Sequence, residues 1–125
     1  MSLSFIHFLN KLKNTSLKKK PFFLSFYNNS ILLLIKILYS EGLIQSFKIL
    51  FDNTVKVYLR YYNNLNPFET LKILSKSSSN TFLKYSDLCR LYNRNKFVLI
   101  STDKGFKTFI ECKRIKLGGQ VLFKI

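Results

Sequence analysis

Residues 97–125 decide the fold: F-V-L-I-S-T-D-K-G-F-K-T-F-I-E-C-K-R-I-K-L-G-G-Q-V-L-F-K-I. Residues 97–100 are an apolar run of strand length, and 101–105 have turn chemistry. Thr108 and Glu111 stand at the T-x-x-E spacing at which a hydroxyl and a carboxylate cap the first turn of a helix reciprocally. Gly118-Gly119 ends that short helix, and 121–125 is a last strand.

Working outward, 81–84 reads as a short strand, and Ser86 as the cap of a helix over 87–92. Residues 76–80 form a polar, Ser-rich loop, and 68–74 are extended, with 69–72 also able to form helix. Asn63, Asn64 and Asn66-Pro67 read as a linker. Before it, Val55, Val57, Leu59 and Tyr61 alternate with Lys56, Tyr58, Arg60 and Tyr62, the pattern of a half-buried strand with a basic-aromatic outer face. Asp52-Asn53 is a turn and 43–50 a strand. Ser30 is the expected N-cap of a helix over 31–41, apolar nearly all round and so buried on more than one side, with Gly42 just past its end. Residues 22–27 make a strand. Phe5, Ile6, Phe8, Leu9 and Leu12 follow helical spacing over 5–17, and Pro21 forces that helix to stop. The expectation is an α+β protein of two small domains. The N-terminal one, residues 1–62, is α-β-α-β-β; 63–67 is the linker; the C-terminal one, 68–125, is mostly β with short helices.

The chain has 21 Lys and Arg against 6 Asp and Glu, a net charge of +15 over 125 residues. Charge of one sign at that density opposes compaction unless a polyanion neutralises it. A hydrophobic content of 47% excludes a disordered basic tail. There are 13 Phe and 7 Tyr but no Trp, and no alanine at all. Phe, Ile, Asn, Lys and Tyr have AT-rich codons and alanine has GC-rich ones, so the bias reads as drift in an AT-rich genome, and aromatic abundance by itself is poor evidence for base stacking. Cys89 and Cys112 have no metal-ligand neighbours at suitable spacing and read as free thiols. The longest apolar run, 31–35, falls far short of the roughly 20 residues that span a bilayer. Six carboxylates, one histidine and two isolated cysteines form no acid-base pair, nucleophile triad or metal site, so neither an enzyme nor a cofactor is expected.

The 97–125 stretch resembles the C-terminal half of the small-subunit ribosomal protein S-eight (uS-eight) family, with its Ser-Thr-Ser-(Lys/Arg)-Gly turn, Met-Thr-x-x-Glu-Ala-Arg helix and Gly-Gly-Glu before a final strand. Upstream, F-L-N-K-L-K-N at 8–14 is similar to the family's Leu-Thr-Arg-Ile-Arg-Asn. I-L-Y-S-E-G-L-I at 37–44 is similar to Val-Leu-Lys-x-Glu-Gly-Phe-Ile, and Ser75-Lys76 to Ser-Arg. These motifs lie in order and at similar spacing over almost the whole chain. The resemblance implies a constituent of the small ribosomal subunit that binds the central domain of its rRNA and aids assembly. Its partners would be that rRNA and neighbouring small-subunit proteins, with no membrane and no small-molecule substrate.

It also implies the contact residues. Foremost is the turn Ser101-Thr102-Asp103-Lys104-Gly105, whose hydroxyls would meet 2′-OH and phosphate oxygens; from spacing alone it is an ordinary hairpin turn. Asp103 stands where the family has a third serine and is expected to fold back as an Asx turn. Gly118 and Gly119 either cap the helix or admit RNA backbone, and Gln120 replaces the family glutamate. Ser75 and Lys76 would face RNA, as would Lys11, Lys13 and Asn14 opposite the apolar stripe of the first helix. Lys18, Lys19 and Lys20 read as a less specific phosphate clamp, Phe82 as core rather than a stacking platform, and His7 as structural. The alternative is a free-standing basic nucleic-acid-binding or membrane-surface protein. The composition, and a start that opens directly into the first helix, point to an organelle-encoded protein of the mitochondrion, with a plastid second and an AT-rich bacterium as the remaining alternative.

Overall fold

The computed structural model describes residues 3–75, 82–92 and 97–125. Contacts divide the chain into two units, residues 7–70 and residues 1–6 with 71–125. The fold is α+β.

The first unit holds most of helix α1 (Leu3–Leu17), strand β1 (Phe22–Phe26), helix α2 (Asn29–Ser40) and strands β2 (Ile44–Ile49) and β3 (Thr54–Leu59). The sheet order is β1-β3-β2, antiparallel throughout. Leu9 and Leu12 of α1 are buried with Phe8, whose ring meets that of Phe23 at 5.6 Å. Ile31, Leu34, Ile35 and Leu38 form one buried stripe on α2, while Leu33 and Tyr39 lie open to solvent. The helix is therefore buried on one side, not the several that its composition suggested. Its cap is Asn28, whose side chain accepts the Ile31 N–H at 2.9 Å, so Ser30 falls inside the first turn. Asp52 and Asn53 both take positive φ, as a tight hairpin matching the strand twist requires.

Residues 63–67, expected as the linker, carry local contacts of their own. Tyr62 and Leu65 form an isolated bridge, and the buried Asn66 side chain donates to Arg60 O at 2.7 Å and accepts Phe68 N–H at 2.8 Å. That bond starts a 3-10 turn over Pro67–Thr70, which keeps Phe68 buried in this unit and places the division after Thr70.

In the second unit β8 (Gly119–Lys124) is central. Strand β6 (Val98–Thr102) pairs along one edge; β4 (Lys72–Ile73) and β5 (Phe82–Leu83) share the other. Strand β7 (Gly105–Thr108) continues from β6 as a hairpin. Helices α3 (Tyr85–Tyr92) and α4 (Phe109–Ile115) complete a core of Leu88, Val98, Ile100, Phe109, Cys112 and Val121. Both cysteines are free. Thr108 caps α4 as its spacing predicted, its hydroxyl accepting the Glu111 N–H. The helix stops before the glycine pair, however: Lys116 takes the left-handed conformation and its N–H returns to Cys112 O.

Candidate nucleic-acid interface

Three segments far apart in sequence meet in the second unit. Phe82, Leu83 and Lys84, then Ser101, Thr102 and Asp103, then Gly118 and Gly119 line one open cleft of about 420 Å³. The sheet register explains the meeting. Phe82 lies opposite Gln120, Gln120 opposite Ser101, and Ser101 opposite Phe106, so these four side chains form a row across β5, β8, β6 and β7 on one face.

The glycine pair makes the cleft possible by backbone proximity. A Cβ on Gly118 would stand 2.4 Å from Leu83 O, and one on Gly119 would stand 2.5 Å from Ser101 O. Neither contact is tolerable, so the glycines let β8 lie close to β5 and β6 instead of capping α4.

The hydroxyls of Ser101 and Thr102 differ. Thr102 Oγ1 donates to Gly105 O at 2.9 Å and accepts the Lys104 N–H at 3.2 Å, closing the hairpin from within. Ser101 is half-buried at the cleft wall, and its hydroxyl makes no bond among the described residues. The Asx turn expected of Asp103 does not form; Thr102 does that work, and the Asp103 carboxylate is exposed at the cleft with no hydrogen bond among the described residues. Gly105 has φ of 100°, which a side chain would resist. Lys104 is exposed at the tip, and Lys84 at the cleft.

Phe82, read from sequence as core, is 69% exposed and lines the cleft. Its two-residue strand pairs by backbone with β8 and leaves the ring outside, which a residue-type argument could not foresee. Ser75 goes the other way. It is fully buried, and its hydroxyl donates to Val121 O, so it serves the sheet rather than an external ligand. Lys76 lies outside the described residues.

The remaining sites belong to the first unit. Lys11 is exposed but donates to Leu24 O at 2.7 Å. Lys13 is half-buried one turn beyond Leu9, at the margin of the apolar stripe and not opposite it as the sequence suggested, while Asn14 is exposed on the far side. Lys19 is in the left-handed conformation and pairs with Glu69, while Lys18 and Lys20 form no ion pair among the described residues. Tyr61 hydroxyl reaches the carbonyls of Lys20 and, at 3.4 Å, Thr15, holding the end of α1. His7 is exposed. No described helix is long and apolar enough to cross a membrane.

A family model described as Ribosomal protein S8 matches residues 5–125. The chain is 35% identical to the small ribosomal subunit protein uS8 of Bacteroides fragilis over 70% of each sequence. It is 30% identical to the uS8m protein of Acanthamoeba castellanii over 73% of each. It is also 30% identical to the uS8 of a Wolbachia pipientis strain over 94% of this chain and 92% of that one. With the motifs, the two-part α+β fold and a family match over nearly the whole length in agreement, the chain belongs to the ribosomal protein S8 family and is a structural constituent of the small ribosomal subunit.

Proposed function

We propose that the protein holds the central domain of small-subunit rRNA through the cleft between β5, β6 and β8 and aids the folding of that RNA during assembly. The carrying observation is the convergence of Phe82, Ser101, Gly118 and Gly119 on one opening. An exposed ring offers a stacking surface, an uncommitted serine hydroxyl can exchange a hydrogen bond with a 2′-OH or base edge, and Lys84 and Lys104 supply phosphate partners. The protein acts by binding, not by chemistry on a substrate. In the first unit Lys13, Lys18 and Lys20 offer further phosphate partners and Asn14 a further hydrogen-bonding group, and the net charge of +15 makes the binding salt-dependent. The mitochondrion is the compartment we favour, supported by the uS8m relative and the AT-driven composition, although bacterial relatives match equally well.

The test is binding to a central-domain rRNA fragment across a salt series. Log affinity should fall steeply with log salt, by close to one unit of slope per phosphate neutralised. A slope near zero refutes the reading.

A further inference from the structure

The outer face of the three-stranded sheet belongs to the first unit, whereas every residue lining the cleft belongs to the second. Cross-strand pairs arrange that face in rows. Phe22, Tyr58 and Ser46 form the first, Leu24, Lys56 and Lys48 the second, and Phe26 with Thr54 the third. The opposite face carries the buried Phe23, Val55 and Val57. Phe22, Leu24 and Phe26 are all exposed large apolar residues, Phe26 to 76%. Phe51, in the adjoining β2–β3 turn, is 93% exposed.

Two features say what would cover this face. Lys48 and Lys56 stand directly opposite each other, a like-charge pair that destabilises a sheet left to itself. All six carboxylates of the chain lie within the described residues, and only Glu69 and Glu111 form ion pairs there, with Lys19 and Lys107. The pair therefore awaits negative charge from outside. The first two rows, unlike Phe26 and Phe51, are also ill suited to nucleobases. Lys56 Nζ sits 4.0 Å over the Phe22 ring and 5.1 Å over Tyr58, so those faces are already taken, and Leu24 offers no stacking face. The edge of β1 is guarded by Lys11 on the Leu24 carbonyl, which leaves the face rather than the edge for a partner.

We infer that this face docks a neighbouring protein of the small subunit through a segment of apolar side chains flanked by carboxylates, the carboxylates meeting Lys48 and Lys56. The inference rests on membership of the small subunit and is independent of the rRNA cleft.

Photo-cross-linking tests it. Phe26→benzoylphenylalanine is incorporated, small subunits containing the variant are purified, and the adduct is identified by mass spectrometry. The expected adduct is a protein peptide carrying Asp or Glu beside apolar residues, its yield cut about tenfold or more by adding Lys48→Glu with Lys56→Glu. An adduct to rRNA, a peptide without carboxylates, a yield indifferent to the charge reversal, or no adduct at all would overturn it. In parallel, Lys48→Glu with Lys56→Glu is tested for binding to the central-domain rRNA fragment. At a salt concentration high enough to screen the altered net charge, affinity close to wild type is expected; a loss there would mean that the face serves RNA and would also overturn the inference. Failure of the wild-type protein to bind the fragment would sink the cleft reading alone, because the cross-link is read in whole subunits.

Discussion

Gly119 lies against Ser101: a Cβ on the glycine would come within 2.5 Å of the Ser101 carbonyl oxygen. The contact couples the stability of the β6–β8 pairing to the shape of the cleft, because the serine whose backbone is approached is also the serine whose hydroxyl is uncommitted. Gly119→Ala should destabilise the protein by about 1–3 kcal/mol, the usual cost of overpacking against unyielding atoms. A urea midpoint equal to that of wild type would show that β8 can shift outward freely.

Ser101→Ala and Thr102→Ala should separate binding from stability. Ser101→Ala removes a hydroxyl with no protein partner among the described residues, so the urea midpoint should hold while rRNA affinity falls about tenfold, the worth of one good hydrogen bond. Thr102→Ala breaks two bonds that close the β6–β7 turn and should lower stability by about 1–2 kcal/mol. If both variants lose affinity at full stability, the division of labour between the hydroxyls is wrong.

Phe82→Ala should weaken rRNA binding by about 1–3 kcal/mol through lost stacking, with no change in the salt slope, while Phe82→Tyr should bind nearly as wild type. A large loss of folded stability in Phe82→Ala would return the ring to a packing role.

Asp103→Ser should tighten binding, by up to about tenfold, because an exposed carboxylate beside the cleft repels phosphate. Filter binding at two salt concentrations checks this, and the gain should shrink at the higher one.

The Cys112 thiol is pushed above its ordinary range by burial, with Glu111 adding to the shift and Lys107 opposing it. The folded protein thus holds this proton more tightly than the unfolded chain, whose thiol ionises near pH ~8.5. The stability this contributes is fully present below that pH and declines as pH rises toward the folded value. Urea midpoints should therefore drop between pH 7.5 and 9.5, and drop less in Cys112→Val. An equal drop in both would place the alkaline sensitivity elsewhere.

Patterns of local origin were legible in the sequence. The Thr108–Glu111 spacing, the alternation from Val55 to Leu59 and the stripe Phe5, Phe8, Leu9, Leu12 each report which side of an element meets apolar neighbours, and each appears as read. Ser101, Thr102, Gly118 and Gly119, picked out by ordered motifs, also meet at one cleft. What sequence could not supply was direction and partner. Ser75 and Ser101 are chemically alike, yet one hydroxyl is committed to β8 and the other is open at a cleft, because only strand pairing decides which side of the backbone each occupies. Phe82 is exposed because its strand is two residues long and lies at a sheet edge. Lys19 is neutralised by Glu69, fifty residues away, a pairing that depends on where the 3-10 turn is held. Local propensity and periodicity determined the elements, and a motif order determined the family. Tertiary structure alone decided which hydroxyls, rings and cations remain for a partner, since that depends on backbone bonds formed between segments far apart in the chain.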